Sequence, residues 1–150
     1  MKNNIGILHL SDIHACTVNK RSLADLVELL KTDLDKIAEE SQTEIQAICI
    51  TGDLINAGDN IDTEMDVAFD TIIHPIMQHL SLSEDRIFVV PGNHEVKRSL
   101  INKYMEAGLL EELKSAENID RYLNSGDVDA RKRIADFEEY ATLFGGTPVF

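Results

Sequence analysis

The stretch Ile87-Phe88-Val89-Val90-Pro91-Gly92-Asn93-His94-Glu95 decides how this chain is read. Four apolar residues form a short run of the kind that builds a buried strand. Pro91 and Gly92 stop it, and side chains able to hold a cation or move a proton follow at once. The same arrangement stands twice upstream. Ile5-Gly6-Ile7-Leu8-His9-Leu10 runs into Ser11-Asp12-Ile13-His14, and residues 45–51, centred on Ile48-Cys49-Ile50, run into Gly52-Asp53.

Helical patterns separate these runs. Leu23, Leu26, Val27, Leu30, Leu34, Ile37 and Ala38 are spaced three and four apart, which predicts a helix from Ser22, its N-cap, to Ser41. Met65, Phe69, Ile72, Ile73, Ile76 and Leu80 predict a second helix from near Thr63. Pro75 should kink or restart it, because proline lacks the N–H and clashes with the preceding turn. Strand, helix, strand, helix, strand implies right-handed crossovers and a parallel sheet, hence an α/β fold. Everything after Glu95 reads as helix. Leu100, Ile101, Tyr104 and Met105 form one face, and Leu109 to Ala116 a short helix. After a break at Ser125-Gly126, Ile134, Phe137, Tyr140, Ala141 and Phe144 stripe a last helix, stopped by Gly145-Gly146. Only Thr147 to Phe150 offers a further strand.

Composition narrows the classes. The 150 residues suit one domain. They carry 27 acids and 14 bases, a net charge of −13. Residues 1–75 hold 14 acids against 5 bases, and residues 76–150 hold 13 against 9. That balance argues against a protein that coats nucleic acid or an anionic membrane through bulk charge. No apolar run approaches the roughly 20 residues of a membrane span. The start, Met1-Lys2-Asn3-Asn4 before a short apolar run, is no secretory signal. Cys16 and Cys49 make neither a disulfide framework nor a Cys-rich zinc site, so a reduced, cytoplasmic protein is expected.

In a parallel sheet the three strand ends lie on one edge, where open α/β sheets bind their ligands. Asp12, His14, Asp53, Asn93 and His94 would therefore converge there. Turn chemistry by Asp and Asn accounts for any one of these positions, but not for three strand ends together. Carboxylate, imidazole and carboxamide without thiolate suit Mn, Fe, Zn or similar ions. A carboxylate on the middle strand is placed to bridge two of them, and two-metal sites favour in-line attack at phosphorus.

Asp12-Ile13-His14, Gly52-Asp53 and Gly92-Asn93-His94-Glu95, in this order and each after an apolar strand, resemble the first three motifs of the calcineurin-like metallophosphoesterases. The resemblance covers about residues 5–98. It implies that Asp12 and His14 bind a first metal, Asp53 bridges both, and Asn93 binds a second. By the same resemblance His94 and Asp53 are catalytic, His94 sitting over the phosphate, and Glu95 stands where many members carry an Asp that orients the histidine. The implied reaction is hydrolysis of a phosphomonoester or phosphodiester by a metal-bound hydroxide.

The implied fold is a two-sheet sandwich flanked by helices. Here the later His and the Gly-His-x-His motif of the family are missing, since the histidines stop at His94. The chain is therefore expected to be the N-terminal portion of such a domain, with one sheet face open, doubtful metal occupancy and no turnover on its own. Residues 1–97 would form the metal-bearing core. Residues 98–146 would form a helical insertion, either a cap over the site or an arm for a partner. Two other functions stay open: an inactive binding or regulatory module, and a nuclease subunit that meets nucleic acid through local patches.

Lesser residues follow. His9 is expected in the core, His74 and His79 on a helix surface, and Asn56 either beside the metal shell or in a turn. Cys16 is expected to be a spectator and Cys49 a core residue. Lys97-Arg98 are placed to greet an anionic substrate, and Arg131-Lys132-Arg133 to form a solvated helix face.

Overall fold

A computed structural model describes residues 4–125 and 131–142. The order of elements is β1 (Asn4–Leu10), α1 (Lys20–Ser41), β2 (Thr43–Thr51), α2 (Ile61–Ala68), α3 (His74–Leu80), β3 (Ile87–Val90), α4 (Lys103–Glu112), α5 (Ala116–Leu123) and α6 (Ala135–Thr142). The three strands form one parallel sheet in the order β1-β2-β3, as the crossover argument requires. Leu8 pairs with Ile48, which pairs with Ile87. His9 pairs with Cys49, which pairs with Phe88.

Side chains alternate across a strand, so this register sorts the sheet into two faces. Ile48, Ile50 and Ile87 are buried against the helices, with Leu8, Leu10 and Val89 packed beside them. The opposite face carries Ile7, His9, Cys49, Phe88 and Val90. There Ile7 is 62% exposed and Phe88 55%. Two expectations are thereby corrected. His9 is exposed rather than in the core, its Nε2 within 2.6 Å of the Thr51 hydroxyl. Cys49 is half-buried, because its register partners lie on the open face.

The helices differ in detail from the sequence reading. The first begins at Lys20, and Asn19, not Ser22, stands at its N-cap position. Leu23, Val27 and Leu34 are buried, whereas Leu26 and Ile37 face solvent. The second and third helices run into one another through a π-helical turn, Phe69–Ile73. Pro75 sits in the first turn of α3. The widened turn just before it is how the helix passes a residue that cannot donate to the ladder. Ile61, Met65, Ala68, Ile72 and Ile76 of this composite helix belong to the same buried core as Ile48, Ile50 and Ile87.

Beyond the third motif, Leu100 and Ile101 do not share a helical face with Tyr104 and Met105. They precede the helix, and Asn102 caps it by accepting from the Tyr104 and Met105 amides. Likewise α4 ends at Glu112, and Ser115 caps a new helix from Ala116. Neither α4 nor α5 buries a residue. By contrast, α6 docks on α2 and delivers Phe137 (1% exposed) and Ala141 to the core. Arg131–Arg133 forms a 3₁₀ turn rather than a helix face, and the Arg133 guanidinium pairs with Glu106 at 2.7 Å. Phe144, the stop at Gly145-Gly146 and the strand at Thr147–Phe150 lie outside the described residues. No helix among the described residues is long and apolar enough to cross a membrane.

Candidate metal centre

The site grows from the ends of the three strands. After β1 and β2 the two chains stay zipped past the sheet. The Asp12 amide donates to the Gly52 carbonyl (3.3 Å), His14 to Asp53 (2.9 Å) and Ala15 to Leu54 (2.8 Å), while Asn56 donates back to Ala15 (3.2 Å). Asp12, His14 and Asp53 hold left-handed backbone, with φ of 54°, 53° and 50°. Each such residue costs about 1–2 kcal/mol relative to right-handed backbone, and the zipped amides hold it in place. The Asn19 side chain braces the first loop, accepting from the Cys16 amide and donating to the His14 carbonyl, both at 2.9 Å.

Glycines let the third loop press against the second. A Cβ on Gly92 would meet the Asp53 side chain and would lie 2.5 Å from the Asp53 amide nitrogen. Gly52, with φ +86°, abuts Gly92 from the other side.

Three side chains meet at this edge. One ligand atom from each of His14, Asp53 and His94 lies within 4.8 Å of the others. The His14 and His94 rings stand edge to face, with centroids 4.5 Å apart. The His14 Nδ1 is buried and makes no hydrogen bond. An imidazole nitrogen left without a partner beside a carboxylate fits a divalent cation, which would satisfy it. Asp12 is exposed at the same edge and accepts from the Ser11 hydroxyl. Its carboxylate is not in the three-residue group. Asn93 is exposed at the tip of the third loop. His74 and His79 stay on the helical surface, away from the group, His79 with its Nε2 2.8 Å from Asp35.

Glu95 departs from its expected role. It is 1% exposed, and its carboxylate accepts from three backbone amides: Asp53 at 2.9 Å, Ile55 at 3.0 Å and Gly92 at 2.6 Å. It staples the second loop to the third rather than orienting the histidine. The His94 ring is held by backbone instead, with Nδ1 2.5 Å from the Asn56 carbonyl oxygen, while the His94 amide donates to Asp53 Oδ1 at 2.9 Å.

A second buried carboxylate was not singled out in the sequence. Glu64 of α2 is 6% exposed and accepts from the Asn56 and Ala57 amides. Its signal was an acid standing inside the apolar stripe Ile61, Met65, Ala68. Lys97 does not reach toward the site. Its ammonium bonds Asp136 at 2.9 Å, and that bond raises its pKa above the usual lysine value.

The chain matches the family described as calcineurin-like phosphoesterase over residues 5–148. It is 21% identical over 144 residues to a Bacillus subtilis (strain 168) protein, the uncharacterized metallophosphoesterase-like protein YydB. That alignment covers 90% of this chain and 27% of the relative, so the chain spans about a quarter of that protein's length. No solved structure matches it.

Proposed function

Because the chain belongs to the calcineurin-like phosphoesterase family, whose members hydrolyse phosphate esters with divalent metals, we propose that its strand-end cluster is one side of a binuclear centre for hydrolysing a phosphomonoester or phosphodiester. The observation that carries this reading is the convergence of His14, Asp53 and His94 within 4.8 Å, with the His14 Nδ1 unpartnered. In it Asp12, His14, Asp53 and Asn93 would hold the ions, with Asp53 shared between them. The mixed oxygen and nitrogen donors favour Mn, Fe or Zn. When bound, the ions supply an activated water and neutralise the phosphoryl oxygens.

The chain's own groups do the rest. Asp53 is pinned by its amide to Glu95 and by its Oδ1 to the His94 amide, so its position does not depend on solvent. With Nδ1 committed to the Asn56 carbonyl, the imidazolium form of His94 has Nε2–H to donate to the leaving oxygen. The open sheet face is where a second sheet, carrying the remaining ligands, would complete the sandwich. Residues 98–125, whose helices α4 and α5 bury no residue, would stand as a cap or a partner arm, while α6 packs into the core. Both thiols are free, which suits a reducing, cytoplasmic setting.

Metal analysis and hydrolysis of simple phosphate mono- and diesters test the reading. The expected result is two metals per chain in the full-length protein. Turnover should be abolished by Asp53→Asn and lowered about 10²–10⁴-fold by His94→Ala. A full-length protein that binds metal yet cleaves no ester would leave only a binding module.

A further inference from the structure

The two amides that Glu64 captures are not equivalent. Both bonds go to one oxygen, Oε2, from Asn56 at 2.8 Å and from Ala57 at 2.7 Å. The Ala57 N–H and the Asn56 C=O are opposite ends of the same planar peptide unit. That carbonyl is the one 2.5 Å from His94 Nδ1. A continuous line therefore runs from the Glu64 carboxylate through one peptide group to the imidazole. A carbonyl oxygen only accepts, so Nδ1 must carry the proton. The neutral ring is then the Nδ1–H tautomer, with Nε2 as its free nitrogen. A charged acceptor on the N–H side also polarises the peptide and strengthens the carbonyl as an acceptor.

We propose that Glu64 is a positioning residue for His94. Acting through the Asn56–Ala57 peptide, it fixes the carbonyl that holds the imidazole in one tautomer and one orientation beside His14 and Asp53. The inference rests on the reading that His94 works at this edge. It differs from loop stapling by Glu95, whose three amide partners belong to peptides that do not touch the His94 ring.

The test is long-range proton–nitrogen correlation NMR on the full chain with labelled histidine, at a pH where the ring is neutral. Wild-type His94 should be protonated at Nδ1, and Glu64→Ala should give a mixture of tautomers. Glu64→Gln should restore the single tautomer, because one amide oxygen can accept both bonds. Should Glu64→Ala not fold, Glu64→Asp replaces it: the shorter side chain withdraws the oxygen, and the same mixture is expected. In turnover, Glu64→Ala should lower kcat by about 10–100-fold with KM little changed, and Glu64→Gln should recover most of the loss. A wild-type ring protonated at Nε2 would overturn the proposal, as would a folded Glu64→Ala or Glu64→Asp protein with an unchanged His94 spectrum. The tautomer is read without any ester being cleaved, so it succeeds or fails separately from the proposed reaction.

Discussion

Replacing Glu95 by alanine should remove a large part of the stability of this fold. Its carboxylate is 1% exposed and accepts from the amides of Asp53, Ile55 and Gly92. A hydrogen bond to a charged group contributes about 1.5–3 kcal/mol, and a buried donor left unpaired costs about 1–3 kcal/mol. Part of the gain is already offset by the cost of burying the carboxylate, so the net loss should resemble that of breaking a buried ionic contact, about 3–5 kcal/mol. Domains of this kind have about 5–15 kcal/mol in all. At about 2–4 °C per kcal/mol, the melting temperature should fall by about 6–20 °C.

Urea unfolding followed by circular dichroism measures the loss. Glu39→Ala serves as an exposed control, and its midpoint should move little. Glu95→Gln should also destabilise, because both Glu95 oxygens are acceptors and one would become a donor facing an N–H. A loss for Glu95→Ala below about 1 kcal/mol, with an unchanged denaturant slope, would refute the claim that these three bonds hold the loops together.

Four further outcomes are expected. Gly92→Ala drives a methyl group into Asp53, and titration calorimetry should show metal affinity falling by about 10–100-fold. Phe137→Ala empties a core site shared by α2 and α6 and should cost about 3–5 kcal/mol in urea unfolding. The Tyr140 pKa lies above its ordinary 10.0, first because it is partly withdrawn from water and then because it bonds Asp62. Its stabilisation is therefore complete below pH 10.0 and is lost as pH rises through the higher folded value. Asp62→Asn should move tyrosinate absorbance to lower pH. The Asp59 pKa lies below 3.8 because the Ser99 hydroxyl and amide donate to it, so that contact is present above pH 3.8 and is lost as pH falls through the lower folded value. Ser99→Ala should return the carboxyl toward 3.8 in an NMR titration.

The sheet and the edge that bears the site were legible because three apolar runs each ended in polar side chains. That pattern needs only the geometry of parallel crossovers to become a site. What the pattern concealed was which face of each strand is covered. A fully apolar run such as Ile5-Gly6-Ile7-Leu8 reads as buried on both sides, and only the register reveals that Ile7 and Phe88 share an open face. The partner of His94 was also hidden. It is a backbone carbonyl, and backbone atoms carry no residue-type signal. Glu64 looked like one acid among many on a helix. Its partners are the backbone amides of Asn56 and Ala57, which likewise carry no residue-type signal.

The left-handed backbone at Asp12, His14 and Asp53 has a consequence for how this sequence can vary. Outside glycine, the residues that tolerate such backbone best are Asn, Asp and His. Those are also residue types from which the proposed centre would draw its ligands. Two independent filters, one steric and one chemical, thus select nearly the same short alphabet at the same three positions. A glycine would ease the backbone and lose the ligand, whereas a glutamate would keep a carboxylate and strain the turn. Libraries randomised at these positions and selected for stability alone should therefore drift to glycine and asparagine, and only selection for metal should recover the present set.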